Sequence, residues 1–300
     1  MTTLLQLVQQ ATAEMGLAVP TQVVGNTATD TVQQLALINA VGYELQRQHI
    51  WQAMVKQHII TVSATTITGD TVDGSSNITN ASSIAGLDTT YQIVGTGINQ
   101  ATYIASAPSG STIPLSQPAT STATGSTFTL TKVKYSMPSD YDRQVDKTHW
   151  DKSKHWEMLG PETAQQWEWL ISGYISTGPR IRYRIFQGYF QIWPAVGVDE
   201  VLGFEYISNG WALSSGGTVQ TSFQADTDTC IFPDRLMVLG LKLKYFEIKG
   251  FDTTALYRDY TRELDIAKSN DAGSATLSLS PRTSSVLISY YNIPDSSYGS

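Results

Sequence analysis

Apolar positions recur at helical spacing near both ends of the chain and at strand spacing between them. Leu4, Leu7, Val8 and Ala11 lie on one face of a short helix predicted over about Thr3–Met15, and Gly16 is a residue suited to end it. After the loop VPTQVVGNTAT, Leu35, Ile38, Gly42 and Leu45 share a face of a second helix. Asp30 is its expected cap, with Gln33 completing a capping box, and it should run to about Trp51. The period then changes to two in QHIITVSA, where Ile59 and Thr61 face one way and Ile60 and Val62 the other.

From about Ser63 to Thr131 the pattern shifts again. Short β-prone runs (YQIVG, TYIAS, TIPLS, TFTLT) alternate with turn residues. The stretch has no Lys, Arg or His, and its only acids are Asp70, Asp73 and Asp88. It reads as an inserted all-β domain over residues 64–131, a small sandwich or barrel between two strands of its host. A disordered Ser/Thr linker is the competing reading, but regular β-branched alternation supplies buriable surface that linkers lack.

The host domain, residues 1–63 and 132–272, resumes with VKYSMPSDYDRQ, in which Pro138 and Ser139-Asp140 mark a turn after a strand. A stretch with Trp150, Trp156, Trp167 and Trp169 contains a helix predicted from Pro161 to Ile171, with proline at its first position. In RIRYRIFQGYFQIWP, Ile181, Tyr183 and Ile185 alternate with Arg180, Arg182 and Arg184, and Gln187-Gly188 forms a hairpin turn. EVLGFEYIS adds a strand. Two helices follow, one from Pro233-Asp234 to Gly250 with a stripe of Leu236, Gly240, Leu243 and Glu247, the other from Asp252 or Thr253 with Leu256, Tyr260, Leu264 and Ala267 buried. Residues 273–300 are too polar and interrupted to form a core and read as an extended C-terminal arm. The fold class is therefore α+β: a helical bundle from the N- and C-terminal helices, a β-sheet or sandwich region, the inserted β domain and the arm.

Charge changes this picture in one respect. Charged residues make up 15% of the chain against a usual ~25%, and such a surface suits permanent contact with neighbours, because charges are costly to desolvate at interface cores. The net charge of -7 argues against an ordinary nucleic-acid binder. The single cysteine, Cys230, excludes an intramolecular disulfide, and neither a membrane span nor a signal peptide is indicated.

Candidate chemistry is sparse. His49, His58, His149 and His155 have no metal-ligand spacing. GxSxG, phosphate-loop and dinucleotide patterns are absent, and Cys230 reads as a buried inert thiol, so no cofactor, metal or catalytic residue is expected. Glu157, Glu162 and Glu168 beside the tryptophans could serve a glycoside hydrolase, although aromatics at irregular spacing more often fill a core or an interface. Arg180, Arg182 and Arg184 could contact phosphates, pair with acids of an adjacent subunit, or form a solvated strand face. These three arginines, with Tyr290 and Tyr291 of the arm, are the candidate subunit or partner interface.

Five stretches, taken in order, resemble the head-to-tail adaptor (connector or tail tubular) proteins of tailed bacteriophages. They are LLQLVQQATAEMGLAVPTQVVG with the helix ending in HIWQAMVKQ, YSMPSDYDRQVDKTHWD, LGPETAQQWEWL, RIRYRIFQGYFQIWPA, and LGLKLKYFEIKGFDTTALYRDYTRELDIAKSNDAG. The resemblance implies a non-enzymatic virion protein, made in the host cytoplasm and placed at the head-tail interface. It implies a ring of about twelve copies bound to the portal protein and to a tail tube or nozzle protein, with DNA passing through its channel without sequence-specific contact and with no membrane. The insert, which many members lack, would give a contact point for a tail fibre or decoration protein. The alternative is a carbohydrate- or receptor-binding tail module, whose tryptophans stack on sugars.

Overall fold

The computed structural model describes residues 2–172, 180–197 and 199–272. The fold is α+β, with five α-helices and four antiparallel sheets among the described residues. The expected arm, with Tyr290 and Tyr291, lies outside them.

Helix α1 (Leu4–Met15) buries the predicted stripe. Thr3 and Gln6 close its start in a reciprocal capping box, and Gly16 closes its end at a left-handed φ of 70°. Helix α2 (Thr29–Gln48) departs from expectation at both ends. Asp30 is not its cap: Ala28 takes that position without a side-chain hydrogen bond, and the Asp30 carboxylate, inside the first turn, accepts from Tyr245 Oη at 3.5 Å and Lys249 Nζ at 3.4 Å. A carboxylate there still complements the positive end of the helix. The helix stops at Gln48, short of Trp51, because Trp51 folds inward to donate Nε1–H to the Leu45 carbonyl at 2.8 Å.

Helix α3 (Ala164–Ile171) begins after Thr163, whose side chain forms a capping box with Gln166, and Pro161 precedes the helix in a cis peptide bond. The local caps outcompeted proline as the start signal. Helices α4 (Asp234–Lys249) and α5 (Thr254–Ala272) form the closing helical hairpin, turned at Gly250 with φ 74°.

The single stripe expected on α4 understates its role. Every residue from Leu236 to Leu241 is buried, because α1, α2 and α5 all pack on this helix, while Glu247 stays at the solvent rim. Close approach needs small residues at two crossings. A Cβ on Gly240 would lie 2.6 Å from Val41 Cγ1, and one on Gly42 would lie 2.2 Å from the Trp211 ring. Trp211, fully buried, meets Phe223 edge-on at 4.9 Å and stacks near Phe232. This hub therefore joins both ends of the chain to the loop region around residue 211.

Two sheets pack face to face beside the hub. In the larger, strand Val55–Thr61 pairs along its length with Val201–Ser208, whose other edge takes Tyr141–Gln144 and Trp150–Asp151, the latter followed by Trp156–Glu157. The smaller holds the predicted hairpin, Arg182–Phe186 and Tyr189–Trp193, with Lys134–Ser136 on its edge. Gln187 and Gly188 have φ of 52° and 76°, the two positive values of a tight hairpin turn. Ile60, Leu202 and Phe204 from one sheet meet Tyr135, Tyr183 and Phe190 from the other.

The stretch from Ala64 to Lys132 leaves and re-enters this sandwich on adjacent strands, with Ala64 paired to Thr131. Its six strands follow the order 102–103, 91–95, 123–132, 64–71, 77–79, 113–114. The two ends of that order also meet. Ile104 bridges Leu115, Ala105 N donates to the Pro114 carbonyl at 2.9 Å, and Ser116 N donates to the Tyr103 carbonyl at 2.9 Å. The sheet thus closes into a small barrel around Ile67, Ile78, Ile93, Ile113, Phe128 and Leu130, and closure removes the exposed edges an open sheet would carry.

Candidate functional site

The arginine row is built by the alternation of its hairpin strand, which turns Ile181 and Tyr183 into the sandwich and the arginines outward. The three arginines do not act as one patch. Arg182 Nη1 is 2.5 Å from Glu162 Oε1 in the same chain, and the Glu162 side chain is only 7% exposed. Arg184 lies over the Phe186 ring at 4.6 Å. Arg180 is left exposed at the start of the strand. Sequence spacing could not show this, since the partner of Arg182 comes from the segment before α3, twenty residues upstream. The same ion pair occupies Glu162. Glu157 sits on a short strand opposite Trp150, and Glu168 on an exposed turn of α3.

The histidines are placed by packing. His149 is buried and stacks on Tyr183 at 4.1 Å and Phe204 at 5.0 Å, with Nδ1 at 3.1 Å from Tyr183 Oη. Burial among these rings pushes its pKa down to about 4, slightly opposed by the charge of Asp146, so the ring is neutral at physiological pH. His58 is held edge-on to Phe204 and lowered by burial. His49 bonds Asp271, whose carboxylate also accepts from Gln52 N, fastening the end of α5 to the turn after α2. Among the described residues no three His, Cys, Asp or Glu side chains converge as metal ligands. The Cys230 thiol is buried and pushed up to about 12 by that burial, which suppresses thiolate chemistry.

Asp140 is a residue to which sequence reasoning assigned no role beyond a turn. Its carboxylate accepts from Lys56 Nζ at 2.6 Å, Tyr206 Oη at 2.8 Å and Ser208 Oγ at 2.9 Å, linking two paired strands of the larger sheet, Val55–Thr61 and Val201–Ser208, to the turn MPSDYDR. Burial alone would raise its pKa, but these bonds outweigh burial and hold it below the usual carboxylate range. The signal available in sequence was an Asp directly after Pro138-Ser139; its three partners are distant in sequence.

Among the described residues the surface carries several exposed apolar side chains and a number of grooves, among them one of about 910 Å³ along α5 past Tyr257, Arg258, Arg262, Asp265 and Ile266. Another groove, about 460 Å³, is lined by Gln57, Trp150, Asp151, Lys152, His155 and Glu205 on the larger sheet. A third, about 350 Å³, runs between α2 and α5 over Gly240 and Leu243 of α4. On α2, Val32, Tyr43 and, just beyond its end, Ile50 are exposed on the side away from Ile38, Val41 and Leu45, and on α5 Tyr257 and Ile266 are exposed. These positions were visible in the sequence but were passed over in favour of the buried stripe. No helix among the described residues is long and apolar enough to cross a membrane.

No protein-family model matches the chain, and no curated protein matches it significantly.

Proposed function

We propose that this chain is a structural subunit of a tailed-phage virion, an adaptor that assembles as a ring beneath the portal, bridges it to the tail and lines part of the DNA channel. The observation that carries the reading is the way the five resembling stretches come together. The opening helices and the closing hairpin make one hub around α4, and the MPSDYDR segment and the arginine hairpin contribute to one sandwich, with α3 packed against Trp193 of that hairpin. A subunit of this kind acts mechanically, so its chemistry consists of faces, not of a reactive centre. The exposed apolar side chains of α2 and α5 and the scarcity of surface charge support that reading. Light scattering of the protein alone and mixed with the portal ring tests it. An added mass of about one subunit per portal chain is expected; a protein that ignores the portal overturns the adaptor assignment.

The groove beside Trp150 favours a second reading, a glycan-binding tail module. A half-buried indole with Gln57 and Glu205 along the same groove offers both a stacking face and acceptors for sugar hydroxyls. Binding to a glycan array that disappears with Trp150→Ala would support it, and an array without signal removes it.

A further inference from the structure

α2 and α5 each pack one face on α4 and leave much of the opposite face to solvent, the Trp211–Phe223 region reaching α2 at Asn39 and at the edge of Tyr43, and the two outward faces differ in kind. That of α2 carries Val32, Ala36 and Tyr43 with a single charge, Arg47. That of α5 carries Arg258, Arg262 and Asp265, with Ile266 at 44% exposure beside them. Among the described residues, Arg47, Arg262 and Asp265 have no ion-pair partner in their own chain.

The fold also fixes the relative height of these residues. Both helices run antiparallel to α4, as the Asp30–Lys249 contact and the short α4–α5 turn require, so they are parallel to each other. Val41 and Tyr260 both reach the space above Gly240, at 2.6 and 3.3 Å from where its Cβ would be, and therefore share a level. With the same rise per residue on both helices, Tyr43 is level with Arg262, and Arg47 with Asp265 and Ile266. The His49–Asp271 contact at the far end agrees with this register to within one turn.

We infer that the outward face of α2 is the docking surface for the outward face of α5 on a second copy of this chain, repeated head to tail. This rests on the ring reading above and gives it a residue-level interface. A cyclic assembly whose axis runs along these helices brings equal levels together. Tyr43 then presents its ring to the Arg262 guanidinium, and Arg47 meets Asp265, so the three charges without an ion-pair partner in their own chain each gain one contact on the neighbouring copy. Two unlike faces on one subunit propagate a ring, whereas two like faces would stop at a dimer.

The test is disulfide trapping in the full chain carrying Tyr43→Cys and Arg262→Cys, oxidised and resolved without reductant, with light scattering alongside. Cys230 is buried, so the parent protein supplies a blank. Expected is a series of covalent oligomers from the double variant and monomer from each single variant. Crosslinked dimers from one single variant would mean that the face meets itself and would overturn the head-to-tail pairing. Assemblies that form without crosslinking would overturn this interface while leaving the ring reading intact. Failure to assemble either alone or on a portal ring would remove both. As an independent check that avoids cysteine, Arg47→Asp and Asp265→Arg should each weaken self-association about tenfold, and combining them should restore it. A combination as weak as either single change would also overturn the pairing.

Discussion

The barrel and the helical hub bury their apolar side chains by contrasting routes. All eight large side chains in the barrel core, from Ile67 to Leu130, come from one continuous stretch, and its entry and exit strands pair with each other. The hub draws Leu4 and Leu7 from one end of the chain, Leu236 to Leu264 from the other, and Trp211 and Phe223 from between. The barrel core therefore draws on its own stretch alone, while the hub core draws on segments far apart in the chain. Their polar contacts follow the same division. In the barrel, bonds such as Asn80 to Asp70 and Gly125 N to Asp70 stay within the stretch. In the hub, Glu14 takes Lys242 and Arg235, and Asp30 takes Lys249, across more than two hundred residues of sequence. The barrel meets its host domain where Ala101 and Tyr103 pack against Trp167 of α3 and Trp193 of the smaller sheet, away from the hub.

The sharpest way to break the comparison is to damage each core separately. Trp211→Ala should cost about 3–5 kcal/mol in the host domain, residues 1–63 and 132–272, which holds every tryptophan, and unfolding in urea followed by tryptophan fluorescence would register it directly, since residues 64–131 contain no Trp. Ile93→Ala, in the barrel, should cost about 2–4 kcal/mol. Its effect should appear in far-ultraviolet dichroism while the fluorescence midpoint stays near that of the parent. A shift common to both probes would show that the seam at Ala101 couples the units into one transition.

Acid should act on the sandwich and spare the barrel. His149 is neutral when folded down to about pH 4, whereas its unfolded form takes up a proton near 6.5, so the unfolded state binds more protons between those values. The His149 contribution should fall as pH drops through that window, by up to about 3 kcal/mol, and level off below it, where Asp140 begins to lose its own contribution. Denaturation midpoints between pH 7 and 4 would measure this, and His149→Phe should flatten the dependence within the window. The smallest expected effect is at a helix end. Thr163→Ala removes the α3 capping box and should cost about 1 kcal/mol, read as a modest fall in the melting temperature of the tryptophan-containing unit.

Local signals were legible where a residue's partner lies close by. The Thr3–Met15 stripe and Gly16, the Gln187-Gly188 turn, Gly250 and the alternation through Ile60 and Val62 all mark elements that form as predicted, because period and turn chemistry act within a few residues. Where local and distant partners compete, the distant one won. Asp30 gave up a cap for Tyr245 and Lys249, and Arg182, read as part of a candidate subunit or partner interface, is paired with Glu162 of its own chain. The candidate interface was legible only in part: its arginines proved to have separate roles, while the exposed face of α2 could be recognised only after its other face was seen covered by α4.

By itself the sequence determined the α+β class, the helical ends, and a β stretch without basic residues distinct from what surrounds it, because these follow from period, composition and turn residues. The tertiary structure decided that the β stretch closes on itself through Ile104 and Leu115, that α4 is buried around its first half, and that Asp140 collects Lys56, Tyr206 and Ser208. Each of these depends on which distant groups a side chain meets, and hydrogen bonding, desolvation and close packing act over a few ångströms of space whatever the separation along the chain.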